Sequence, residues 1–69
     1  MEMIPVSSSN LVAVGYDSVT ETLRIQFRSS TYDYFNVPAH IHQGLMNASS
    51  KGQYHATYIK NVYQYTRIL

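Results

Sequence analysis

Three consecutive stretches of the chain alternate between apolar and polar positions. Val12, Val14 and Tyr16 interleave with Ala13, Gly15 and Asp17. Leu23, Ile25 and Phe27 interleave with Arg24, Gln26 and Arg28, and Tyr32 and Tyr34 with Asp33 and Phe35. A period of two matches the pleat of a half-buried strand and predicts an antiparallel meander. With Ser18-Val19-Thr20-Glu21 as a four-residue loop, Tyr16 faces Leu23 and Val14 faces Ile25. With Ser29-Ser30 as a two-residue turn, Phe27 faces Tyr32 and Ile25 faces Tyr34. One sheet face then carries Val12, Val14, Tyr16, Leu23, Ile25, Phe27, Tyr32 and Tyr34. The other carries Ala13, Gly15, Thr22, Arg24, Gln26, Asp33 and Phe35. Ile4 and Val6 extend the first edge, where Pro5 cannot donate to a ladder.

Val37-Pro38 closes the strand region, and proline suits the first turn of a helix. Ile41, Leu45 and Ala48 recur at helical spacing. Gly44 weakens that helix by about 1 kcal/mol relative to alanine and allows close packing on the sheet. Ser50 and Gln53 form a capping-box pattern that opens a second helix. Ala56, Ile59 and Tyr63 share one face of it, with Tyr54 and Tyr58 one turn apart beside them. The final residues, from Tyr63 onward, alternate again as a tail or a short strand. The whole predicts one α+β domain over residues 1–69: a small antiparallel β-meander of three or four strands with two short helices packed on one face.

Composition narrows the function. Leu, Ile, Val and Phe make up 17 of the 69 residues, enough for a small core, and there is no cysteine for a disulfide or thiolate metal site. A domain of this size is marginal without staples, which favours a homo-oligomer. No apolar run approaches a membrane span. The start, MEMIPVSSSN, has no basic residue ahead of an apolar stretch, so no secretory leader is expected and the setting is cytoplasmic. Charge is lopsided. Residues 1–36 hold Glu2, Asp17, Glu21 and Asp33 against Arg24 and Arg28; residues 37–69 hold Lys51, Lys60 and Arg67 and no acid. An acid-free half tolerates anions. So few cations suit a short or small nucleotide better than a long duplex.

No catalytic set stands out. No two carboxylates are brought together by local spacing. His40 and His42, two apart, point to different sides of a helix and do not chelate a metal. No serine has a local activating base, and there is no phosphate loop. The expectation is a non-enzymatic domain without cofactor or metal. Two features point to binding. Ser49-Ser50-Lys51-Gly52 opens a helix, where free N–H groups, the dipole and Lys51 favour an anion and Gly52 allows close approach. An ordinary capped helix uses the same residues. In a regular second helix, Lys51, Tyr54, Tyr58 and Asn61 form one stripe, continued by Lys60, Tyr65 and Arg67. Rings interleaved with cations suit bases and phosphates, although tyrosines also close small cores. Arg24, opposite Phe35, marks a second surface. Tyr32 and Tyr34 are open between core and site.

The chain as a whole resembles the KTSC domain. The matching pieces are Val6-x-Ser8-Ser9-Asn10-Leu11, Gly15-Tyr16-Asp17, Leu23-x-Ile25-x-Phe27, Tyr32-x-Tyr34 with Val37-Pro38, Ala48-x-Ser50-x-Gly52, and Ile59 with Tyr63-x-Tyr65. Their order and spacing, from about residue 4 onward, carry the likeness. The family takes its name from its occurrence at the C-terminus of some lysyl-tRNA synthetases and also exists as small stand-alone proteins in bacteria and phages. The resemblance implies an RNA-binding role and no catalytic residue. The chain departs from the family pattern at His55-Ala56, in place of aromatic-Asn, and at Gln64, in place of Pro.

The expected function is a non-catalytic module for a nucleotide-type ligand, either single-stranded RNA or a small nucleotide sequestered between subunits. Tyr34, Tyr54, Tyr58 and Tyr65 would stack on bases. Ser50, Lys51, Gly52, Lys60 and Arg67 would hold phosphate, with Arg24 as a further cation. The alternative is a protein–protein interaction module acting through the sheet edge or the polar sheet face.

Overall fold

The computed structural model describes residues 1–69. Its strands are β1 (Ile4–Pro5), β2 (Leu11–Asp17), β3 (Thr22–Phe27), β4 (Thr31–Tyr34) and β5 (Tyr65–Arg67). They form one antiparallel sheet in the order β1-β2-β3-β4-β5. Helix α1 (Ala39–Asn47) and helix α2 (Lys51–Tyr54) follow β4, and α2 runs directly into a π-helical turn over His55–Ile59. No helix is long and apolar enough to cross a membrane. The α+β meander with helices on one face is therefore as expected, with five strands rather than three or four: the Ile4–Pro5 lead-in and the terminal segment both join the sheet.

The first hairpin has the expected register, Tyr16 against Leu23 and Val14 against Ile25. Its loop is held by Asp17 Oδ1, which accepts from the Val19 and Thr20 amides at 2.9 and 3.4 Å. The second hairpin turns one residue earlier than expected. The Phe27 amide donates to the Ser30 carbonyl at 2.7 Å, so Arg28-Ser29 is the two-residue turn. Pairing shifts by two: Ile25 faces Tyr32, Leu23 faces Tyr34, and Arg24 faces Asp33 instead of Phe35. A shift of two keeps every side chain on its face, and the sequence-derived faces survive. What the new register gains is an ion pair. Arg24 Nε and Nη2 donate to the two Asp33 carboxylate oxygens at 2.7 and 3.0 Å.

One strand departs from simple alternation. Leu11 pairs with Phe27 but Ala13 pairs with Gln26, a bulge that leaves Val12 as the extra residue. Leu11 therefore takes the core position expected of Val12, and both Leu11 and Val14 are fully buried. The core joins Leu11, Val14, Leu23, Ile25 and Tyr34 of the sheet to Val37, Leu45 of α1 and Ile59 of the π-turn. On the opposite face, a Cβ at Gly15 would meet Met3 Sδ at 2.6 Å and Met1 at 2.9 Å, so the first residues of the chain lie over the polar side of β2.

The two helices pack through Gly44, whose close approach is to the Tyr54 ring of α2 rather than to the sheet. The Tyr54 hydroxyl then donates to the Ile41 carbonyl at 3.1 Å. Ser50 caps α2, its Oγ accepting from the Gln53 amide at 3.3 Å. The second helix is not regular. The Lys60 amide donates to the His55 carbonyl at 2.8 Å, an i to i+5 bond. Lys60 then turns extended and Asn61 takes a left-handed φ of 65°. The wide turn buries Ile59 but leaves Ala56 exposed, so the expected face of Ala56, Ile59 and Tyr63 does not form as a unit.

Candidate functional site: an aromatic cavity at the open end of the sheet

No residue of α1 or α2 lines the end of the apolar sheet face nearest β5. Four rings remain there: Phe27 from β3, Tyr32 and Tyr34 from β4, and Tyr65 from β5 directly across from Tyr34. His55 enters from the π-turn, and Lys60 and Asn61 close the rim from the segment that leaves it. These seven residues line a half-open cavity of about 210 Å³. Tyr65 sits 5.6 Å from Tyr32, edge-on, and 5.7 Å from Tyr34, tilted, between centroids. His55 meets Phe27 edge-on at 5.1 Å and Tyr34 edge-on at 5.6 Å. Edge and tilted contacts of this kind leave ring faces free for a further planar group.

The polar groups of the cavity are few and placed. The Tyr34 hydroxyl and His55 Nε2 form a 2.8 Å hydrogen bond. Burial first, with Tyr32 and Tyr65 second, pushes the Tyr34 hydroxyl up to about 12. Burial, aided by the nearby Lys60 charge, pulls the His55 imidazole below its usual value. Both groups are therefore neutral near pH 7, and Lys60 is the one full charge among the lining residues. A neutral aromatic box with a cation at its rim suits a planar ring that carries an anionic substituent. No group of three or more histidine, cysteine, aspartate or glutamate residues converges on a point that would hold a metal ion.

The residues singled out from sequence fall into separate places. Tyr34, Lys60 and Tyr65 meet in the cavity. Tyr54 and Tyr58 form a second group with Ser50 on the outside of α2, their ring centroids 4.7 Å apart. Tyr54 is half-buried on Gly44, and burial raises its hydroxyl pKa, with Tyr58 contributing. Tyr58 is exposed. The single stripe of Lys51, Tyr54, Tyr58 and Asn61 does not exist, because the π-turn swings Asn61 and Lys60 to the sheet side. Lys51 Nζ is tied back to the Ala48 carbonyl at 3.0 Å. Gly52 does not stand open: a Cβ there would meet Asn10 Oδ1 at 2.8 Å, so the Asn10 side chain holds the close approach expected of a ligand. Arg24 is on the opposite sheet face, bound to Asp33, whose hydrogen bond raises its pKa further. Arg67 stands across from Tyr32 on β5, its Nε donating to the Leu69 carbonyl at 3.0 Å.

Phe27, Tyr32 and His55 are the lining residues that sequence reasoning did not assign to a site. Phe27 and Tyr32 were legible as members of the same apolar face as Tyr34, and an apolar face longer than its covering helices was the available signal. His55 had no such signal, since its inward position depends on the π-turn.

Comparison with known proteins places this architecture. Residues 7–63 match the profile of the KTSC domain family. The chain belongs to that family. The crystal structure of a KTSC domain protein from Yersinia pestis is 40% identical and superposes with a TM-score of 0.96, covering 99% of this chain and 97% of that one. A lysine–tRNA ligase from Trichormus variabilis is 44% identical over 54 residues, 77% of this chain and 10% of the ligase. A second, from Nostoc sp., is 37% identical over 67 residues, 96% of this chain and 12% of the ligase. The KTSC chain thus spans about a tenth of the length of these ligases. A protein from Stutzerimonas stutzeri matches end to end, 34% identical over 70 residues and 99% of both chains.

Proposed function

We propose that this KTSC domain is a non-catalytic binding module that takes one base of a nucleotide-type ligand into the aromatic cavity and holds the attached phosphate at Lys60. The convergence of Phe27, Tyr32, Tyr34 and Tyr65 with a single cation carries the reading. Stacking on aromatic side chains contributes about 1–3 kcal/mol per base and tolerates any base. The cavity is smaller than the ~300 Å³ at which drug-sized pockets begin, which suits one ring system rather than a whole dinucleotide. The ligand is a small nucleotide or a single exposed base of RNA, and likeness to a segment of lysine–tRNA ligases is compatible with the second. A cytoplasmic setting belongs to the same proposal, in keeping with a chain that has no cysteine.

Docking of a protein partner on the polar sheet face is the weaker reading. That face is already occupied by the Arg24–Asp33 pair and by Met1 and Met3 over Gly15. Calorimetric titration of the intact domain with mono- and cyclic nucleotides and short single-stranded RNAs tests the proposal. Heat is expected with at least one class, declining as salt is raised. A folded sample that gives no heat with any of them overturns it.

A further inference from the structure

The two edges of the sheet are not equivalent. Edge strand β1 is Ile4–Pro5, and proline cannot donate to an added strand. Edge strand β5, Tyr65–Arg67, contains no proline and is exposed along its length. Its backbone polarity follows from its bonds to β4. The Phe35 amide donates to the Gln64 carbonyl and the Ile68 amide to the Thr31 carbonyl, so Gln64, Thr66 and Ile68 face β4. By alternation the N–H and C=O groups of Tyr65 and Arg67 point outward, away from the sheet. Unsatisfied edge groups are a template for another strand. The exposed apolar side chains Val62, Tyr65, Ile68 and Leu69 flank the same edge.

The geometry points to a second copy of this chain as the occupant, its β5 pairing antiparallel with the first about a two-fold axis at Thr66. In that register Tyr65 of each copy lies opposite Arg67 of the other, and the outward groups of both exchange hydrogen bonds. The match is self-complementary, a cation beside an aromatic ring twice over. It also completes the site. Tyr65 and Arg67 share the face of Tyr34 and Tyr32, onto which the cavity opens. Arg67 of the second copy then stands just beyond Tyr65, facing the mouth that Lys60 guards from the other side. The inference rests on the nucleotide reading and deepens it: each phosphate is held by Lys60 of one copy and Arg67 of the other.

Sedimentation velocity over a protein concentration series, with adenosine 5′-monophosphate as the probe, tests the interface and the site separately. The intact chain is expected to pass from monomer to dimer as concentration rises, at lower concentration when the nucleotide is present. Arg67→Pro removes an outward N–H and leaves the bonds to β4, so it should stay monomeric while melting cooperatively. Lys60→Gln and Arg67→Gln should each dimerise and each bind the nucleotide at least tenfold more weakly. Mixing those two variants should restore one tight site in every mixed dimer, because only there do Lys60 and Arg67 face each other across the axis. Failure of the mixture to recover tight binding, an intact chain monomeric throughout, or an Arg67→Pro dimer overturns the inference and leaves the single-chain cavity standing. An intact chain that dimerises, with Arg67→Pro monomeric, but binds no nucleotide removes the nucleotide reading instead, and with it the shared phosphate site.

Discussion

The Tyr34 hydroxyl lies 2.8 Å from Nε2 of His55. The bond ties the strand before the helices to the π-turn after them, and it fixes the imidazole within the wall of the cavity. With Tyr34 pushed up to about 12 and His55 pulled down, both partners stay neutral near pH 7 and the pair places no charge behind a bound ring.

Tyr34→Phe should leave His55 Nε2 without its partner and lower stability by about 1–2 kcal/mol, read as a fall in the denaturant midpoint. Tyr65→Ala should behave oppositely. Its ring is more than half exposed, so the midpoint should barely move, while nucleotide affinity falls by about tenfold or more through loss of one stack. A Tyr65→Ala variant that binds as the parent does would remove the ring from the site.

Stability should decline below neutral pH. His55 and His42 both have folded values pulled below the usual imidazole value of 6.5 by burial. Between the folded value and 6.5 the unfolded chain binds protons that the folded chain does not, so stability is full above 6.5 and is lost as pH falls through that window. Melting temperatures measured from pH 8 to pH 5 should show this slope, shallower in His55→Phe. A slope equal in the two proteins would exclude His55 as a source.

Gly44→Ala should destabilise despite alanine's better helix propensity. The added Cβ would overlap the Tyr54 hydroxyl and come to 2.7 Å from its Cζ. Displacing a ring that is packed and hydrogen-bonded to Ile41 costs about 1–3 kcal/mol, against a gain of about 1 kcal/mol. Thermal melts decide the sign, and a higher melting temperature would contradict the close helix contact.

Arg24→Leu should cost about 1.5–3 kcal/mol, because Asp33 is only 8% exposed and would lose two charge-assisted hydrogen bonds. Arg24→Leu combined with Asp33→Leu should recover part of that loss, since no unpaired charge remains. Chemical denaturation of both variants checks the order. A double variant less stable than the single would show that the pair does more than satisfy one carboxylate.

Much of the sheet was legible because a period of two survives errors in pairing. Moving the turn from Ser29-Ser30 to Arg28-Ser29 shifted every partner by two and moved no side chain across the sheet. The Arg24–Asp33 pair was hidden by the same shift, since register across a hairpin is decided by turn chemistry and partner choice rather than by pattern. Val12 was misplaced because a bulge reverses parity without leaving a mark in the alternation. The site was less legible than the fold. A helical stripe assumes 3.6 residues per turn, and the bond from the Lys60 amide to the His55 carbonyl breaks that assumption where the cations and rings were being aligned. Tyr34, Tyr65 and Lys60 were found by residue type; that they meet, and that Tyr54 and Tyr58 do not join them, depends on the π-turn and on β5 returning to β4.

The most direct test is a crystal structure of the domain soaked with the nucleotide that gives the largest calorimetric signal. The account predicts a base seated among Phe27, Tyr32, Tyr34 and Tyr65, with its phosphate toward Lys60. Density for the base against Tyr54 and Tyr58 on α2, or an empty cavity beside a ligand bound elsewhere, would contradict it.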